Sequence, residues 1–292
     1  MPRRLLIVLC CVLIAACSGG VEVGSATTTT PDAPTGSPAG TSGGTPPPGE
    51  TVRVVTVFDG DSILVETVTG EREVRLAGIN APETDECFGA EAEQWMVERA
   101  GEEVTLVTIP DEDDEDQFGR LLRDVWAGEV WLNRAAAAEG YAMTLHTGRF
   151  GEEELAVAGD AAWEDRLGMW AVDACGPAPE GVVVTEFVFD PPGPDDDVPN
   201  DEYVVIENIT GEPVDVSGWV LRDESSQHRY RFEDGAVLQP GVPVTVRSGC
   251  GDSTPTDRHW CADGPVWSNQ GDTVLLQTAG GTVVARVPYT GE

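Results

Sequence analysis

Arg75-Leu76-Ala77-Gly78-Ile79-Asn80-Ala81-Pro82-Glu83 opens on a charged residue, continues as an apolar strand, and closes on a carboxylate just past a proline. A solvent-facing arginine and a loop glutamate would explain it blandly, so the neighbouring segments have to decide. Upstream, Val52 to Phe58 and Ser62 to Thr67 are rich in alternating and β-branched residues, and Glu73 to Ile79 continues the pattern. Asp59-Gly60-Asp61 and Thr69-Gly70 separate these runs, so three strands joined by turns are predicted. Downstream, Ala90 to Ala100 places Ala92, Trp95, Met96 and Arg99 at helical spacing. Strands near Val104 to Ile109 and Arg123 to Trp126 follow, then helices over Trp131 to Glu139 and Glu152 to Arg166. The pattern predicts a small β-barrel with helices packed on it.

Two further features sharpen the reading. Asp59-Gly60-Asp61 sets two hard carboxylate oxygens at a tight turn, which suits calcium, although Asp-Gly is first of all a hairpin signal. Asp116-Gln117-Phe118-Gly119-Arg120 uses a glycine to turn the backbone sharply and set one arginine apart before the next strand.

Together, in order and spacing from about Thr51 to Trp170, these residues resemble the staphylococcal nuclease, or thermonuclease, family. The resemblance implies an OB-fold β-barrel with α-helices. It implies that Asp61, Asn80 and the main-chain carbonyl of Ala81 hold one calcium ion, with Asp59 nearby and other hard divalent ions possible. It also implies that Glu83 is the general base and that Arg75 and Arg120 grip the phosphate. The expected activity is hydrolysis of DNA, RNA or both, on the 5′-oxygen side, leaving 3′-phosphate ends. A phosphodiester resists attack because it is anionic, so a cation and guanidinium groups must offset charge gathering at phosphorus. The chain departs from the family pattern in places. Asn80 stands where the family usually has an Asp, which is expected to weaken calcium binding or retune the site. Gln117 and Phe118 replace the Lys and Tyr beside the base pocket of the best-known member. His146 falls near a family Tyr, and is read as a surface loop residue outside the catalytic set.

Charge excludes several other classes. The 292 residues carry 17 basic and 52 acidic side chains, a net charge of −35, and every basic residue is arginine. Without lysine there is no Walker-type phosphate lysine, Schiff-base lysine or lysine-rich duplex-wrapping patch. Residues 51–176 hold 9 arginines against 29 acids, a balance of −20 that opposes a polyanion and predicts activity tolerant of high salt. The run Asp111 to Asp116 reads as a solvated loop, with an additional calcium site as the alternative.

Residues 1–16 form a charged, then apolar, then small-residue leader ending before Cys17. Leu13-Ile14-Ala15-Ala16-Cys17 looks like a lipobox, which implies cleavage before Cys17 and a lipid on its thiol; an ordinary secretory signal is the alternative. Either exports the chain, and the lipid would anchor it to the outer face of the cell membrane. Residues 17–50 read as a disordered Thr/Pro/Gly-rich tether. Export leaves Cys87, Cys175, Cys250 and Cys261 in an oxidising compartment. Of three possible pairings the domain division favours Cys87–Cys175 and Cys250–Cys261, while spacing argues against zinc.

The nuclease-like region, 51–176, gives way after a short linker to short strands punctuated by Gly, Pro, Asp and Asn over 181–290, economically packed as a β-sandwich. Tyr203 to Asn208, Pro213 to Trp219, Gln239-Pro240-Gly241 and Trp267 to Asp272 resemble the lamin-tail domain, an all-β immunoglobulin-like sandwich. No acid, base or nucleophile constellation stands out there, so it reads as a binding or positioning module of unknown partner. The chain is expected to act as a monomer. The alternative to a nuclease is a membrane-anchored nucleic-acid or envelope-binding protein whose metal site has decayed.

Overall fold

The computed structural model describes residues 45–149, 151–194, 197–225 and 227–291, together with the backbone of residues 4–6, which lies along a strand of the second domain. Cys17, nearly all of the leader and most of the tether lie outside the described residues.

The first domain is a closed five-stranded barrel. Its strands are β1 (Glu50–Val57), β2 (Ser62–Thr67), β3 (Gly70–Leu76), β4 (Glu103–Val107) and β5 (Leu121–Ala127). They pair in the order β3-β2-β1-β4-β5, and a parallel contact between β3 and β5 closes the ring. Alternation drives the register: Ile63, Val65, Val74, Leu76 and Val125 point inward and are fully buried. Each such side chain contributes about 2 kcal/mol of burial. Two consequences of register matter for function. Ser62 pairs with Arg75, and the Leu76 amide donates to the Asp61 carbonyl at 2.8 Å, so Asp61 ends one strand beside Arg75 on the next. The parallel seam sets Arg75 opposite Leu122 and brings the Gly119-Arg120 turn to the same barrel face.

Three helices cover the barrel: α1 (Gly89–Ala100), α2 (Leu132–Ala138) and α3 (Glu152–Glu164). Ala92, Trp95, Met96 and Ala100 form the buried stripe of α1. Arg99 on that helix instead pairs with Glu139 at 2.7 Å. Three glutamates in the first turn of α3 complement its helix dipole. A short pairing of Ile79–Asn80 with Met143–Thr144 ties the chain beyond β3 to the segment that leads to His146.

The second domain is a sandwich of two sheets. One has the order β6 (Val182–Val188), β7 (Tyr203–Asn208), β10 (Val244–Arg247), β11 (Asp257–His259). The other runs β9 (Arg229–Arg231), β8 (Val220–Arg222), β12 (Gly271–Gln277), β13 (Val283–Thr290). Phe187, Val204, Ile206, Trp219, Leu221, Val246, Trp267 and Leu276 fill the space between them.

The domains are packed together. Met143, Ala162, Met169 and Trp170 of the first form one apolar cluster with Leu275 and Val283 of the second. Ion pairs Arg229–Glu86 at 2.5 Å and Arg286–Asp160 at 2.7 Å cross the same junction. Both disulfides have the expected pairing, Cys87–Cys175 and Cys250–Cys261. The first of them abuts Gly281 of the sandwich.

Candidate active site

Asp61 is the centre of the arrangement. It is 4% exposed, and its Oδ1 meets Arg75 Nη1 at 2.9 Å while accepting the Ser62 hydroxyl at 3.0 Å. Its Oδ2 accepts the Ala81 amide at 2.5 Å, which ties the end of one strand to the exit of the next. Burial pushes its carboxyl up to about 7 even though Arg75 pulls the other way, and neighbouring Asp59 adds to the rise. Asp59 is positioned by a local turn, its Oδ1 accepting the Asp61 amide at 2.9 Å. Arg75 reaches further with Nη2, which donates to Asn80 Oδ1 at 3.1 Å. Asp61, Arg75, Asn80 and Ala81 thus form one hydrogen-bonded group.

Arg120 approaches from the other side of the barrel seam. Gly119 turns the chain at φ +82°, a conformation open to glycine, and Asp116 accepts Arg120 Nε at 2.7 Å and the Arg120 and Phe118 amides at 3.0 and 2.9 Å. Burial alone would raise the Asp116 carboxyl, but these donors hold it below the usual carboxylate range. Arg75, Asn80 and Arg120 line a single cavity of about 290 Å³, shared with Gln117 and Phe118. Phe118 is 72% exposed at its rim.

Glu83 stands on the adjoining loop, outside the lining of that cavity. Partial burial raises its carboxyl above the ordinary value, with Asp59 and Glu86 adding and Arg75 opposing. The loop is packed against the start of α1 so closely that a Cβ on Gly89 would fall 1.9 Å from the Glu83 carbonyl oxygen. Glycine is required there for close approach.

Two expectations need correction. The acidic run is only partly a solvated loop: Asp114, Glu115 and Asp116 pair with Arg123, Arg72 and Arg120 at 2.7, 2.6 and 2.7 Å. Local turns at this end of β5 fold the acids back onto barrel arginines. His146 is not a surface residue. Its side chain is 8% exposed at the domain junction, with Nδ1 2.7 Å from Glu224 Oε2. The hydrogen bond that its ring donates to the Glu224 carboxylate is the main cause raising its pKa, against burial.

Sequence reasoning also placed the whole site in the first domain. In the structure Ser225 and Gln227 of the sandwich line the cavity that holds Arg75 and Arg120, and the Glu224 carbonyl accepts Asn80 Nδ2 at 3.0 Å. Nothing local in Asp223-Glu224-Ser225 announces this role.

The available donors are all oxygen: the Asp61 carboxylate, the Asn80 amide and the Ala81 carbonyl, with Asp59 alongside. That chemistry fits a hard divalent cation, and a buried carboxylate held up at about 7 is a group that a second nearby cation would favour in its charged form. Among the described residues no three His, Cys, Asp or Glu side chains converge into a cage, so such a site would rest on one buried carboxylate supplemented by neutral oxygens.

A closed OB-type barrel with arginines and a buried carboxylate on one face, followed by an immunoglobulin-like sandwich, defines the class of this two-domain protein. Residues 73–172 match the family described as staphylococcal nuclease homologue, and residues 176–291 match the lamin tail domain. The chain belongs to the staphylococcal nuclease homologue family, with a lamin tail domain following the barrel. It is similar to the thermonuclease of Staphylococcus hyicus, 29% identical over 99 residues that make up 32% of this chain and 58% of that protein. It is also similar to Protein ParB of Escherichia coli, 32% identical over 129 residues, 40% of this chain and 71% of that protein. Micrococcal nuclease of Shigella flexneri is 32% identical over 128 residues, 40% of this chain and 72% of that protein.

Proposed function

We propose that the chain is an exported, calcium-dependent nuclease that hydrolyses phosphodiester bonds of DNA, RNA or both and leaves 3′-phosphate ends. One observation carries the reading: Arg75, Asn80 and Arg120 share one cavity, and Asp61 lies immediately behind Arg75. The similarity to a thermonuclease and a micrococcal nuclease supports it.

Calcium, held by Asp61, Asn80 and the Ala81 carbonyl, would supply positive charge against a phosphate oxygen. Arg75 and Arg120 donate to the remaining phosphate oxygens from two sides, and their planar donor pairs fix the phosphate as well as offsetting its charge. Glu83 takes a proton from the attacking water. Its raised pKa makes it a better base than an ordinary carboxylate. The water oxygen bonds to phosphorus as the bond from phosphorus to the 5′-oxygen breaks, and that oxygen leaves after gaining a proton. Phe118, exposed at the rim, offers an aromatic face on which an unpaired base can stack, which favours single strands.

Export through the leader and a lipid on Cys17 complete the proposal. The two disulfides support the exported part, since such bridges persist in oxidising compartments. A second reading, a nucleic-acid or envelope-binding protein without turnover, draws on Asn80, which offers a neutral oxygen where the family usually has an acid. Glu83→Gln separates the two. On the nuclease reading it lowers cleavage at least ~100-fold with oligonucleotide binding and melting temperature unchanged; turnover equal to wild type would remove Glu83 from the mechanism.

A further inference from the structure

The sandwich loop beside the cavity does more than fill space. Glu224 is 7% exposed, and both its carbonyl oxygen and its carboxylate are committed to the first domain. Its carbonyl oxygen accepts Asn80 Nδ2 at 3.0 Å. Its carboxylate accepts the His146 amide through Oε1 and meets His146 Nδ1 through Oε2 at 2.7 Å. Its own amide donates to Asp272 Oδ1 at 3.2 Å. Asn80 and the His146 segment are already joined by the pairing of Ile79–Asn80 with Met143–Thr144. Glu224 therefore holds Asn80 within that pairing and His146 two residues beyond it.

The consequence falls on Asn80. It is buried between Arg75 Nη2, a donor, and the Glu224 carbonyl, an acceptor. An amide satisfies both at once, and an ionised carboxylate does not. An aspartate would set an anionic oxygen against a carbonyl oxygen at hydrogen-bond distance, an arrangement without a proton to share. The amide at this position is thus what the docked sandwich demands. With Nδ2 held by Glu224, Oδ1 has one direction left, toward Arg75 and the Asp61 side of the site.

We propose that Glu224 is a positioning residue of the nuclease site, and that the lamin-tail-like domain, through the loop carrying it, is a working wall of that site rather than an appended binding module. The proposal rests on the nuclease reading for its catalytic meaning and on the contacts for its geometry. Ser225 and Gln227 extend the same wall toward Phe118 and Arg120 as polar groups facing the substrate cavity.

The test compares full-length Glu224→Ala, Glu224→Gln and Arg286→Ala. Arg286 pairs with Asp160 across the same junction and touches nothing in the site, so it reports loosening of the domains alone. Calcium binding by calorimetry and the Asn80 side-chain amide by NMR in calcium-free protein are read alongside cleavage of single-stranded DNA. The expected result is that Glu224→Ala weakens calcium binding about tenfold or more, as loss of a group orienting a ligand does. It also shifts the Asn80 amide signal and lowers kcat/KM in parallel. Glu224→Gln, which keeps an oxygen for the His146 amide, restores most of each, and Arg286→Ala changes only the melting temperature. Equal calcium affinity and an unmoved Asn80 signal in Glu224→Ala would overturn the proposal, as would identical losses in Arg286→Ala. If wild type cleaves nothing, the nuclease reading fails while the Asn80 signal still decides whether Glu224 positions it.

Discussion

The two walls of the cavity are built in opposite ways. On the barrel wall, Asp61, Arg75 and Asn80 are neighbours by strand register, and Arg120 is added by one parallel seam. On the sandwich wall, Glu224 reaches Asn80 across 144 residues of sequence, held by packing between two domains. The barrel wall carries the charge that the proposed chemistry needs. The sandwich wall carries hydrogen-bonding groups that orient it. A short-range wall is set by the fold of one domain, whereas the long-range wall exists only while both domains are docked, so substitutions should affect the two differently.

The largest effect should come from the barrel wall. Arg75→Ala removes a phosphate ligand and also strands the buried Asp61 carboxylate. Cleavage is expected to fall by ~10² to 10³-fold, the scale for losing a preorganised charged donor. Breaking the buried pair should cost ~3 to 5 kcal/mol of stability in metal-free protein at pH 8. Arg120→Ala should lower cleavage with little change in melting temperature, because Arg120 is 25% exposed and its partner Asp116 is held by backbone amides as well. Equal destabilisation by the two would erase the distinction between a pinned and a loop-borne arginine.

A middle-sized effect is expected where the walls meet. Asn80→Asp restores a charged donor to the site but opposes the Glu224 carbonyl. In chelator its melting temperature should fall by ~2 to 6 °C, from ~1 to 3 kcal/mol of unsatisfied buried polar contact. Calcium should then recover part of the loss. A higher melting temperature in chelator would mean that the amide is not needed for docking.

A separate effect concerns pH and the sandwich wall. Burial pushes the Asp272 carboxyl up to about 8 from an ordinary 3.8, with Glu224 and Asp223 adding repulsion. A group whose folded-state pKa is raised contributes stability that is fully present below its unfolded value and is lost as pH rises through the folded one. His146, raised by Glu224, acts in the same direction. Asp61, raised to about 7, titrates in the same sense, so metal-free protein should lose melting temperature between about pH 4 and 8, and Asp272→Asn should make that fall shallower without abolishing it. An unchanged profile would assign the pH dependence elsewhere.

Much of the barrel was legible because its determinants are local. Alternation, the Asp-Gly and Thr-Gly turns and the helical stripe of Ala92, Trp95 and Met96 fix strands and helices within short windows, and the charged residues ride on those strands. The sandwich was legible for the same reason, from its short strands and turn residues. Glu224, Ser225 and Gln227 were not, since a polar turn between strands looks the same whether it faces water or another domain. His146 was misread on the same ground: a lone histidine after a short strand carries no sign that a carboxylate from a distant loop covers it. The acidic run misled in part because a row of like charges gives no hint of which members meet an arginine.

The most direct measurement is digestion of single-stranded DNA by residues 51–292 with calcium and with a chelator, reading both product ends by mass spectrometry. Fragments are expected only with calcium, carrying 3′-phosphate and 5′-hydroxyl ends. DNA left intact with calcium, magnesium and manganese, at low and high salt alike, would contradict that expectation and make a non-catalytic binding protein the better description.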